Sequence, residues 1–125
     1  MEGAIMENVE PLVDNNMATL SNSPKSLVEL WREYKFGISG RKPAAHFTSA
    51  ERNNRTHGIK QKYYRRKFVW DTISRLVRSG MTVESAIVRI RNCYGHSTSI
   101  TQIIEKIRRD RSEYKEIGGY HPNLV

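Results

Sequence analysis

The sequence predicts an all-α fold: a small helical bundle of four to five helices in which a short helix, a loop and a long basic helix follow one another in helix-turn-helix order. Three observations predict it. Apolar residues after position 26 recur at offsets of three, four and seven with no convincing strand alternation. Serines, threonines and glycines stand where helices start and stop. The run Arg52 to Lys67 holds seven Lys or Arg and no acid, and passes directly into the amphipathic pattern FVWDTISRLV.

Taken in order, the first helix opens at Ser23 with Pro24 in its first turn, or at Ser26 with Glu29 completing a capping box, and carries Leu27, Leu30, Trp31 and Tyr34 before Gly37 ends it. Pro43 can start a second, shorter helix bearing Ala44, Phe47 and Ala50, and Asn53, Asn54 and Gly58 mark a loop. The third helix spans about Ile59 to Ser79 and stops at Gly80, with Val69, Trp70, Ile73, Leu76 and Val77 on one stripe. Traced backwards, that stripe meets Lys62 and Arg66, so the front half of the helix is expected to project from the body. Tyr63, seven residues before Trp70, is weighted towards the core. Thr82 opens a fourth helix through Val83, Ala86, Ile87 and Ile90, closed by Gly95. Ser99 and Gln102 open a fifth with Ile100, Ile103, Ile104 and Ile107. Residues 1–22 read as a flexible acidic leader or linker, and 23–125 as the helical domain.

Charge narrows the function classes. The chain carries +8 overall, but Glu2, Glu7, Glu10 and Asp14 lie in a stretch without Lys or Arg, which leaves 21 basic against 9 acidic residues, or +12, on residues 25–125. Each Lys or Arg set against a phosphate releases condensed counterions, so this density points to a nucleic acid. An anionic membrane would call for a broad apolar helix face, and the stripes here are narrow. Arg65 and Arg66, on the expected projecting half, can pair bidentately with guanine and are the expected base readers. Arg41, Lys42, Arg52, Arg55, Lys60, Lys62, Tyr64 and Lys67 are the expected phosphate contacts, Tyr64 through its hydroxyl. The Arg52–Gly58 loop and the basic end of the last helix, Arg108 to Arg111, are the alternative readers. No carboxylate pair, nucleophile elbow or phosphate-cradling glycine loop suggests an enzyme, a cofactor or a small-molecule substrate. Cys93 and His96 have a spacing seen in zinc sites, but a lone Cys at a helix end is usually a small buried apolar group, so no metal is expected. His121 reads as a tail residue packing back on the body.

The segments LWREYKFGISGRKPA (Leu30 to Ala44), YYRRKFVWDTI (Tyr63 to Ile73) and GGYHPNL (Gly118 to Leu124) resemble the C-terminal DNA-binding domain of the fungal transcriptional activators of glycolytic genes, shared with related fungal regulators of stress and invasive growth. The resemblance implies a nuclear, non-enzymatic module that binds double-stranded DNA at a short C- and T-rich box, CTTCC in the glycolytic activators; other transcription regulators are candidate partners. It matches Arg65, Arg66 and Lys67, with Arg41 and Lys42 in the preceding turn. The chain departs from it in the Arg52–Gly58 loop, which lacks the Trp that members carry there. Two alternatives stay open: the target-recognition module of a fungal mobile-element recombinase, and a helical protein- or RNA-interaction module.

Overall fold

The computed structural model describes residues 17–124. Among them are five α-helices and no strand: α1 (Leu27–Lys35), α2 (Ser49–Arg52), α3 (Ile59–Arg78), α4 (Val83–Tyr94) and α5 (Ile100–Glu113), with 3-10 turns at Ala44–His46, Thr56–Gly58, Lys115–Ile117 and Pro122–Leu124. The fold is the small all-α bundle that the periodicity predicts.

Local chemistry sets the helix ends. The Ser26 hydroxyl accepts from the Glu29 amide, Thr82 from Ser85 and Ser99 from Gln102, so each satisfies an amide that the helix cannot. At α1 the Glu29 carboxylate reaches one residue further back than a capping box requires, accepting from Lys25 N at 2.6 Å. The complete box stands at α2, where Thr48 and Glu51 satisfy each other's backbone amides, a signal the sequence reading passes over. The single helix expected after Pro43 is in fact split. Phe47 adopts an extended conformation between the 3-10 turn and α2, which lets its ring bury against Tyr63 with centroids 5.9 Å apart.

Helix α3 is the axis of the bundle and packs on α1, α2, α4 and α5. One apolar cluster joins Leu27 and Leu30 of α1, Val69, Ile73 and Leu76 of α3, Ala86 and Ile90 of α4, Ile103, Ile104 and Ile107 of α5, and Leu124. A second joins Leu20, Ala44, Phe47, Ile59, Tyr63 and Trp70. Trp70 ties the two together, because its indole nitrogen donates to the Leu30 carbonyl at 2.9 Å and its ring stacks on Tyr34, 5.0 Å away. Trp70 and Ile73 are fully buried, and Trp31 lies beside them through Tyr34.

The expectation that the front half of α3 projects is corrected. Its buried seam does not stop at Val69 but continues through Arg66, Tyr63 and Ile59, at helical spacing, onto the second cluster. Arg66 can occupy an apolar seam because Glu33 of α1 meets it there: Nη1 lies 2.8 Å from Glu33 Oε1, both side chains are almost wholly buried, and Nη2 donates to the Ser21 carbonyl. Glu33 Oε2 in turn accepts from the backbone amide and hydroxyl of Ser21. The expected leader therefore overlaps the packed body. Leu20 is buried, and Lys42 N donates to Met17 O at 2.7 Å. The rest of that segment, residues 1–16, lies outside the described residues.

Three variants test this packing. Trp70→Ala should lose about 3–5 kcal/mol through the cavity it leaves. Glu33→Ala should lose a comparable ~3–5 kcal/mol by stranding a buried guanidinium, whereas the double variant Glu33→Met with Arg66→Met should recover most of that loss. Denaturant unfolding of the variants measures all three.

Candidate nucleic-acid interface

The front of α3 is built differently from the other helix starts. His57 and Gly58 both take positive φ, 55° and 68°, turning the chain into the helix with Gly58 at the cap position and no side chain there to accept an amide. The first turn of α3 contains no acid, while α1, α2, α4 and α5 each begin behind a Ser or Thr hydroxyl. Backbone carbonyls take the first two amides instead, Ile59 N donating to Thr56 O and Lys60 N to Asn54 O at 2.8 Å.

Around that end lies an open groove lined by Arg55, Lys60, Gln61, Tyr64, Arg65, Phe68, Glu105 and Arg108, from the loop before α3, from α3 and from α5. Glu105 is its one acid. Its two oxygens hold Arg65 at 3.1 Å and Arg108 at 2.9 Å. All three side chains are at least 40% exposed, so these pairs contribute little net stability in water. The Tyr64 hydroxyl donates to Asn53 Oδ1 at 3.0 Å, and its ring meets Tyr63 edge-on, fixing an exposed aromatic on the groove wall.

The structure thus gathers Arg55, Lys60, Tyr64 and Arg65 of the expected contacts, and places the others elsewhere. Arg66, expected to read bases, is buried on Glu33, and the base-reading expectation for it does not survive that placement. Arg41 donates to Thr19 Oγ1 and Lys42 pairs with Glu51 at 2.7 Å, which holds the Glu51 carboxyl below its usual range. Arg52 donates to the Phe47 carbonyl. Lys62 Nζ donates to Asn22 Oδ1, and its pKa is lowered by burial first and by neighbouring Arg66 second. Lys67 pairs with Asp71, one turn on, which raises its pKa.

Sequence reasoning missed Gln61 and Glu105, and named Arg108 only among alternatives. Nothing local marks them, since the α5 residues meet Arg65 across 40 positions. Arg111, from the same alternative, does not line the groove. Its guanidinium lies 4.4 Å from the Tyr120 ring and 5.6 Å from Phe68, and Arg75 covers Tyr120 at the same 4.4 Å. His121 sits 5.2 Å from the Tyr114 ring and 6.2 Å from Tyr94, and Leu124 is in the core, so the tail motif packs back across α4 and the end of α5. Among the described residues no group of three His, Cys, Asp or Glu could hold a metal, and no helix is long and apolar enough to cross a membrane.

A family model described as "transcriptional activator of glycolytic enzymes" matches residues 19–93, more than half of the chain. The chain belongs to this family of transcriptional activators. No curated protein and no solved structure matches it. The family match starts in the segment that closes over Arg66 and ends in α4, so it takes in Arg55, Lys60, Gln61, Tyr64 and Arg65, while Glu105 and Arg108 lie beyond it.

If Glu105 restrains a polyanion-binding groove, Glu105→Gln should raise affinity for heparin, read as elution at higher salt. Glu84→Gln removes the same charge from α4 and should change elution much less.

Proposed function

We propose that this activator domain is a nuclear, sequence-specific reader of double-stranded DNA, with the front of α3 set against the major groove in helix-turn-helix fashion behind α2. The observation that carries the reading is the convergence of Arg55, Lys60, Arg65 and Arg108 from three separate elements on one open groove at the start of α3. Four cations brought together against a single acid repel one another until an anion arrives.

Phosphates would be held by Arg55, Lys60 and Arg108, which rim the groove. Arg65 and Gln61 lie one helical turn apart on the exposed side of α3. A C- and T-rich box of the CTTCC kind, which the resemblance implies, presents guanine and adenine on its other strand. Arg reads guanine O6 and N7, and Gln reads adenine N6 and N7, each in a bidentate way. The side chains at the groove therefore suit the strand opposite such a box. Other transcription regulators bound beside the domain fit its membership of an activator family.

Binding-site selection on randomised duplex DNA tests this reading, followed by salt titrations with duplex, single-stranded DNA and RNA. With about six phosphates contacted, log K against log salt should fall with a slope of about −5 on duplex DNA. Arg65→Ala should lose about 1–3 kcal/mol of discrimination at one guanine and relax specificity there, whereas Lys60→Ala should weaken all duplexes alike and make the slope shallower by about one unit. Equal losses for Arg65→Ala on the selected site and on a site with that guanine changed would show that Arg65 does not read bases.

A further inference from the structure

A second groove, sharing no residue with the basic one, runs between the outer face of α1 and the start of α4. Its walls are Val28, Trp31, Phe36, Val83 and Ile87. Leu27, Leu30 and Glu33 form the buried seam of α1, so Val28 and Phe36 turn outward, 46% and 72% exposed. Contiguous apolar surface of this kind on a small domain marks a docking site. The rim is basic. Arg32 lines it and Lys35 sits over the Trp31 ring at 5.9 Å, with Glu84 as the opposing acid. The occupant such a groove fits is apolar and acidic.

We propose that the chain's own N-terminal segment, residues 1–16, is that occupant. It carries Ile5, Met6, Val9, Leu12 and Val13 together with Glu2, Glu7, Glu10 and Asp14, and no Lys or Arg. The point where it joins the described structure is next to the groove. Met17 pairs with Arg41. Arg41 is pressed so close to Gly37 that a Cβ there would lie 2.1 Å from the Arg41 carbonyl oxygen, and Gly37 directly follows Phe36. Met17, the first described residue, thus lies close to the Phe36 end of the groove. Sixteen residues reach up to roughly 53 Å when extended, several times the roughly 14 Å length of the nine-residue α1. Tethering also makes the association intramolecular, with an effective concentration of order millimolar. A second copy of the chain fits less well, because a two-fold interface would set Arg32 and Lys35 against their own equivalents.

The test uses the full chain with Cys93→Ala, so that Val9→Cys offers one attachment point for a nitroxide. Paramagnetic broadening should remove most of the signal from the Trp31 indole and the Val28, Val83 and Ile87 methyls while sparing Tyr64 and Arg65. Phe36→Asp, a change at an exposed position, should restore those signals without altering thermal stability. Undiminished signals at Trp31 would overturn the proposal. So would broadening centred on Tyr64 and Arg65, which would put the acidic segment on the basic groove. Broadening that persists in full when labelled and isotope-enriched chains are separate molecules would assign the groove to a second copy instead.

Discussion

The buried pair between Arg66 and Glu33 decides how the rest of the domain is presented. A guanidinium is tolerated in an apolar seam only when its charge and donors are met, and here Glu33 meets the charge while the Ser21 carbonyl takes a further donor. The pair pins three stretches distant in sequence, the segment before α1, α1 itself and the middle of α3. It also fixes the rotation of α3 about its axis. With Arg66 turned inward, Arg65 is swung about 100° around the helix and faces α5, where Glu105 and Arg108 lie. The outward face at the front of α3 is a consequence of what is buried behind it.

That outward face is held ready rather than rigidly closed. Glu105 bridges two arginines in a setting where water screens both contacts, so neither pair is a rigid tie. Tyr120, between Arg75 of α3 and Arg111 of α5, ties the two helices together beside these charges. The family match ends in α4, yet α5 supplies both the restraining acid and a rim cation of the groove. A reading of the matched residues alone would miss the α5 wall of the groove.

The two grooves differ in kind. One gathers cations at the start of α3, and the other gathers apolar side chains beneath a basic rim. Both depend on α1 and α3 being locked together, because the same seam that buries Leu30 and Trp70 turns Val28 and Phe36 out on one helix and Gln61 and Arg65 out on the other.

The sequence by itself determined what is local. Caps at Ser26, Thr82 and Ser99, the stops after Lys35, Arg78 and Tyr94, and the apolar stripes of α1, α3, α4 and α5 were all legible, because each is set by hydrogen bonds and periodicities that act within a few residues. The weighting of Tyr63 towards the core rested on the same spacing. Basic residues were legible as a population, which pointed to a polyanion. Only the tertiary structure decided their individual places. In the chain Arg65 and Arg66 are neighbours of one type, and what separates them is Glu33, 33 positions before Arg66, and Glu105, 40 positions after Arg65. A charge is soluble or buried according to the partner that folding brings to it, and that partner is invisible to any local pattern.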